Sequence, residues 1–174
     1  MYVSAKKMAF LGLLLAISVV LVILSGILEF NTLFLLAAAS FGIGIAIREC
    51  GLRLGLGFFI GSSILSFLIA PNKFYCITFT AMSLYILINE FAWEKLTKLK
   101  NRNLALWVIR YMVFNVIYLP LVFLMPHLFY QGTINIKILI LLIVGGQIAI
   151  LIYDKAYTYF QLYVWGRFRK RFHL

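Results

Sequence analysis

The stretch MAFLGLLLAISVVLVILSGIL, Met8 to Leu28, runs for 21 residues without a charged side chain. At a rise of about 1.5 Å per residue it spans roughly 30 Å as a helix, the thickness of a hydrocarbon core. Lys6 and Lys7 precede it as they would in a signal peptide. The apolar run is longer than such a peptide needs and has no clear small-residue cleavage site, so it is read as a retained span.

The rest of the chain repeats this pattern. Of 174 residues 64% are hydrophobic and 12% charged, with a mean hydropathy of +1.04. That is more apolar surface than one soluble core of this size hides. Further apolar stretches fall at 33–47, 51–70, 74–93, 104–125 and 134–153, separated by short polar breaks. The expected fold is therefore an all-α integral membrane protein. A six-span domain, 1–154, is followed by a cytoplasmic, amphipathic, basic tail, 155–174. In the tail Phe160, Val164, Phe168 and Phe172 recur every fourth residue, which puts them on one helix face for the inner leaflet or a partner.

The basic residues orient the bundle. Lys6, Lys7, Arg48, Arg53, Lys95, Lys98, Lys100, Arg102, Lys155, Arg167, Arg169, Lys170 and Arg171 fall on one side, and Lys73 and Lys137 on the other. The positive-inside rule then predicts that both termini are cytoplasmic in a multi-pass protein of the cell membrane, taken to be a bacterial plasma membrane. The net charge of +11 is an orientation signal and calls for no nucleic acid.

Motifs of catalysis are scarce. His127 and His173 lie far apart, no HExxH or cysteine cluster occurs, and five acidic residues serve the whole chain. Neither a metal site, a cofactor nor an enzymatic activity is expected. Cys50 and Cys76 fall on opposite sides of the bilayer, so a bridge between them is excluded. The glycines of GIGIAIRECGLRLGLG, Gly42 to Gly57, read as small residues that let membrane helices approach.

Polar residues at membrane depth are costly and call for partners. Glu90 lies about one turn from the end of the fourth span, and Arg110 roughly 9 Å into the fifth. The short basic link Glu94–Asn103 makes these spans antiparallel neighbours, so a Glu90–Arg110 ion pair is expected, with Asn89, Asn115 and Gln147 completing the network. On the other side Glu29, Asn31, Asn72, Lys73, His127, Tyr130, Gln131, Asn135 and Lys137 form polar surfaces that would close over a small solute. Tyr75, Tyr118 and Tyr130 would serve as aromatic walls, and Pro120 as a kink.

The segment KKMAFLGLLLAISVVLVIL, Lys6 to Leu24, resembles the opening helix of the substrate-binding S components of energy-coupling-factor (ECF) transporters. Those proteins have this length and span number and carry an AxxxA patch on helix one. The matching small positions are Gly12 and Ala16, with Ala5 and Ala9 a turn or two earlier; glycine replaces the first alanine, which preserves close approach. The serine- and glycine-rich GLGFFIGSSILSFLIAPNK also suits the family. The resemblance implies a subunit that captures a vitamin-like solute from outside and docks through Ala5, Ala9, Gly12 and Ala16 on a transmembrane coupling subunit served by a pair of ATPases. The resemblance further implies a solute under the outer loops with Asn72, Lys73, Asn115, His127 and Gln131 as its polar contacts, where a basic group such as Lys73 or Lys137 would suit a carboxylate or phosphate. The MreD family of cell-shape proteins is similar in length and span number, and it implies instead a non-transporting scaffold of the cell envelope.

Overall fold

The computed structural model describes residues 5–28, 31–98, 101–126, 129–130, 132 and 135–172; at Lys98 and at 170–172 only the backbone is described. Its elements are α1 (Ala5–Ile27), α2 (Thr32–Cys50), α3 (Leu52–Ile69), α4 (Lys73–Lys95), α5 (Arg102–Leu124), α6 (Ile136–Tyr159) and α7 (Gly166–Phe172). A 3-10 turn, Leu96–Lys98, follows α4, and a π-helical segment, Phe160–Trp165, joins α6 to α7. Six helices are long and apolar enough to cross a membrane, the last of them counted through to Arg169, as in a multi-pass membrane protein.

Local chemistry explains where the helices stop. Only Gly51 separates α2 from α3, and its φ of +90° is one that a side chain resists. Asn72 Oδ1 accepts the backbone N–H of Phe74 at 3.0 Å and starts α4. Asn135 Oδ1 does the same for Ile136 at 2.7 Å and starts α6. Lys73 closes the preceding helix by donating to the carbonyls of Phe67 and Ala70. α5 runs through Pro120 without interruption.

Helix α2 is the centre of the bundle. Ten of its residues are buried, from Leu36 to Ile47, and it packs against α1, α3 and α4. Small residues make the approach possible. A Cβ on Gly42 would meet Ser18 Oγ at 2.7 Å, and one on Gly55 would meet Ile47 Cγ1 at 2.3 Å. Around Gly57, by contrast, the space is open.

The bundle differs from end to end. One end, here called the basic end, carries the start of α1, the α2–α3 and α4–α5 links and α7, with most of the lysines and arginines. Towards the other end Val22, Leu36, Ala39, Ala70, Cys76 and Phe79 form a compact apolar cluster.

The expected break at 154/155 is absent. Lys155–Tyr159 belong to α6, and the chain stays helical through the π segment into α7. Val164 and Phe168 face outward, whereas Tyr157 and Gln161 turn inward. Of the predicted apolar face only Phe160 meets the core, its ring 5.2 Å from that of Phe41; the side chain of Phe172 lies outside the described residues.

Candidate functional site

The polar interior gathers at the basic end, on residues of α2, α4, α5 and the long C-terminal helix. Glu90 is 5% exposed, and Arg48 meets its carboxylate with two N–H groups, Nε to Oε2 at 2.9 Å and Nη2 to Oε1 at 2.6 Å. This fork is the strongest geometry that an arginine and a carboxylate adopt. Tyr157 adds a third bond, its hydroxyl donating to Glu90 Oε1 at 2.6 Å. The Arg48 guanidinium also lies 5.8 Å from the ring centres of Trp93 and Tyr157, and Arg102 covers Trp93 at 4.4 Å.

Gly44 makes room for this arrangement. A Cβ there would stand 1.9 Å from the Tyr157 hydroxyl and 2.7 Å from Gln161 Nε2, so only glycine admits both side chains.

The expected Glu90–Arg110 pair is therefore corrected. Glu90 belongs to Arg48, and Arg110 Nη1 donates instead to Asp154 Oδ2 at 2.7 Å. The physical reason is helix order in space. α2 lies between α1, α3 and α4, and so brings Arg48 to Glu90, while α6 offers Asp154 to the face of α5 that carries Arg110.

A third acid, Glu49, follows Arg48 in the chain but serves a different helix. Its Oε1 accepts Trp165 Nε1–H at 2.9 Å and lies 3.3 Å from Arg169 Nε. Phe10 of α1 packs on the Trp165 ring, centres 5.7 Å apart. Higher along the same helix, the Tyr153 hydroxyl shares a 2.8 Å hydrogen bond with Ser40.

Tyr153, Tyr157, Gln161, Trp165 and Arg169, four residues apart, thus all turn towards the bundle. In a regular α-helix steps of four drift by about 40° each, which would carry the last of them out of reach of α2. The wider π segment, Phe160–Trp165, takes up that drift and keeps one face inward. Gln161, inside the segment, is 4% exposed, and neither of its amide atoms has a hydrogen-bond partner.

The solute-contact candidates do not gather into one site. Asn72 and Lys73 cap helix ends, as described above. Asn115 accepts from Gln147 Nε2 at 3.0 Å and donates to the Tyr111 carbonyl, which ties α5 to α6. His127 and Gln131 lie outside the described residues. Tyr118 fills the notch over Gly146 and donates to the Leu142 carbonyl, and Tyr75 packs beside Gly26. Among the described residues no three His, Cys, Asp or Glu side chains converge as a metal site requires.

The docking candidates share one setting. Ala5, Ala9, Gly12 and Ala16 are all exposed, and a Cβ on Gly12 would meet nothing within 4 Å. Ser18, Val19, Val22 and Ser25 are the buried residues of the same helix.

Sequence reasoning missed Asp154, Glu49, Tyr157 and Gln161. A usable signal was the scarcity of acids: with five in the chain, each one inside a span needs a cation, and Arg48 stands within the helical part of α2. The class defined is a six-helix membrane bundle fastened at one end by partly buried ion pairs. No family model, no curated protein and no solved structure matches the chain.

Proposed function

We propose that this chain is the solute-capture membrane subunit of an ECF-type importer, with its basic end and both termini in the cytoplasm. The observation that carries the reading is the outward face of α1. Ala5, Ala9, Gly12 and Ala16 line it with open space in front of Gly12. Lipid gives no reason for small side chains in a row, whereas the close approach of a partner helix does. In this reading the partner is the coupling subunit, which links the chain to a pair of ATPases, and the protein itself performs no chemistry on its solute. Cytoplasmic placement of the basic end follows from the positive-inside rule.

A second reading, a non-transporting scaffold of the MreD kind, is favoured by a different observation. Asn72, Lys73 and Asn115 are engaged within the fold, and the apolar end packs around Phe79 and Leu36.

The two are separated by purifying the protein from its native membranes and measuring its unfolding temperature with a panel of vitamins and related carboxylates or phosphates. A ligand at a thousandfold excess over its Kd stabilises the folded state by about 4 kcal/mol, a shift of many degrees. The importer reading expects that shift with one compound, and loss of the coupling subunit and ATPases from the preparation on Gly12→Leu. No shift with any compound, together with copurifying envelope-synthesis proteins, would overturn it in favour of the scaffold.

A further inference from the structure

Two residues along a helix turn it by about 200°, so each inward residue of the C-terminal helix has a counterpart two positions on that points the opposite way. Opposite Tyr153, Tyr157, Gln161 and Trp165 stand Lys155, Tyr159, Tyr163 and Arg167, and all four are exposed. The π segment that keeps the inner stripe in line keeps this outer one in line as well. The rings of Tyr159 and Tyr163 stack with their centres 4.8 Å apart and 28° between their planes, and a cation stands at either end of the stripe.

The outer face of the same helix changes character at Lys155. From Ile138 to Asp154 every exposed residue is apolar or glycine, with Ile148, Leu151 and Ile152 among them. From Lys155 onward the exposed face carries cations and aromatic hydroxyls, the pattern of a helix leaving hydrocarbon for the headgroup layer. No acid answers these cations. Asp154 is the one acidic residue of the C-terminal helix and is held by Arg110, and Glu49 of α2 is taken by Trp165 and Arg169. Among the described residues neither Lys155 nor Arg167 belongs to an ion pair.

We propose that this stripe is a binding site for an anionic phospholipid of the leaflet at the basic end, which sets its phosphate against Arg167 and the Tyr163 hydroxyl and lays its acyl chains along Leu151 and Ile152. The headgroup is anionic because the charges of the stripe are positive and unanswered within the fold. The occupant is a lipid because one continuous face is bare apolar surface below and cationic above, which matches a molecule with hydrocarbon chains under a phosphate. Arg167 leans back along the helix towards Tyr163, as helical side chains do. Lys155, at the border of the apolar face, sends its ammonium to the same layer on a four-carbon stem. The tyrosines present a ring to the chains and a hydroxyl to the phosphate. The site is on the C-terminal helix, not on the small-residue face of α1, and does not rest on the importer reading.

The test places a photoreactive amino acid at Leu162, exposed beside the stripe, and at Val116 of α5 as a lipid-facing control. The full-length protein is reconstituted in vesicles of equal parts phosphatidylglycerol and phosphatidylcholine, and the mass of the crosslinked lipid identifies its headgroup. One cation near an anionic surface favours it about fivefold, so phosphatidylglycerol should exceed phosphatidylcholine at least about fivefold at Leu162 and be about equal to it at Val116. Lys155→Gln with Arg167→Gln should bring the ratio at Leu162 close to one, and Tyr163→Phe should lower it about threefold. Arg53→Gln with Lys95→Gln, the same loss of charge elsewhere at the basic end, should leave it unchanged. Equal labelling of both lipids at Leu162, or a fall with Arg53→Gln and Lys95→Gln as large as with the stripe variant, would overturn the proposal. So would loss of the preference on adding millimolar glycerol phosphate, which would mark a site for a free anion, or crosslinking at Leu162 in native membranes mainly to a protein.

Discussion

The assignment of Glu90 to Arg48 makes a quantitative prediction, because a neighbouring arginine was the natural alternative. Removing one member of a buried ion pair strands the other and costs about 3–5 kcal/mol where both are fully enclosed. Glu90 is enclosed, but Arg48 is one-third exposed, which lowers the expected cost of Arg48→Met to about 2–3 kcal/mol. Glu90→Gln should cost a similar amount, since the new amide N–H₂ faces the arginine fork while its oxygen can still accept from Tyr157. The double variant leaves no stranded charge, so it should be less damaging than the sum by about 1.5 kcal/mol or more. The same cycle between Glu90 and Arg110 should give a coupling below about 0.5 kcal/mol, since Arg110 is held by Asp154. Reversible unfolding in mixed micelles, with denaturing detergent titrated against a mild one, reads each stability. A Glu90–Arg110 coupling larger than the Glu90–Arg48 coupling would refute the pairing and the order of helices that produces it.

Further outcomes follow from single positions. Gly44→Ala places a methyl where the Tyr157 hydroxyl stands and should destabilise the protein by about 1–3 kcal/mol, whereas Gly57→Ala, in open space, should be neutral or gain up to about 1 kcal/mol in the same titration. Gly146→Ala should act like Gly44→Ala by pushing the Tyr118 ring away from α6, visible as loss of the Tyr118 contact in near-ultraviolet dichroism. Trp165→Phe keeps the tilted ring contact with Phe10 but removes the N–H bond to Glu49, at a cost of about 1–2 kcal/mol. Reporter fusions should find the C-terminus and the 96–101 link on the same, cytoplasmic side; a periplasmic signal from either would reverse the orientation.

The spans were legible in the sequence because hydrocarbon imposes one length on every helix, and an uninterrupted apolar run such as Met8–Leu28 has few other readings. Helix ends were less so. Arg48 and Glu49 fall beyond the apolar run at 33–47, yet α2 continues to Cys50 and carries both inward. Read as a loop charge, Arg48 serves orientation alone, which leaves Arg110, inside the next span, as the partner for Glu90. The C-terminal segment misled for a related reason. A four-residue repeat has two readings one residue apart, and only the π segment, whose hydrogen-bonding register no propensity announces, selects Tyr157, Gln161 and Trp165 over Val164 and Phe168. The α1 face was readable because small residues at helical spacing stand out among leucines, although exposure alone could show that the fold leaves them uncovered.

The unequal ends of the bundle give it the mechanics of a clothes-peg. At the basic end, directional bonds from Arg48, Glu49, Arg110, Tyr157 and Trp165 hold α2, α4, α5 and the C-terminal helix in fixed register. At the opposite end the helices meet mainly through Val22, Leu36, Ala39 and Phe79, contacts that tolerate sliding because they have no preferred angle. Thermal motion or a pulling force would therefore spread the jaws at the apolar end and leave the hinge intact. Amide exchange in a lipid disc should then be faster around Ala70–Cys76 than around Arg48 and Glu90.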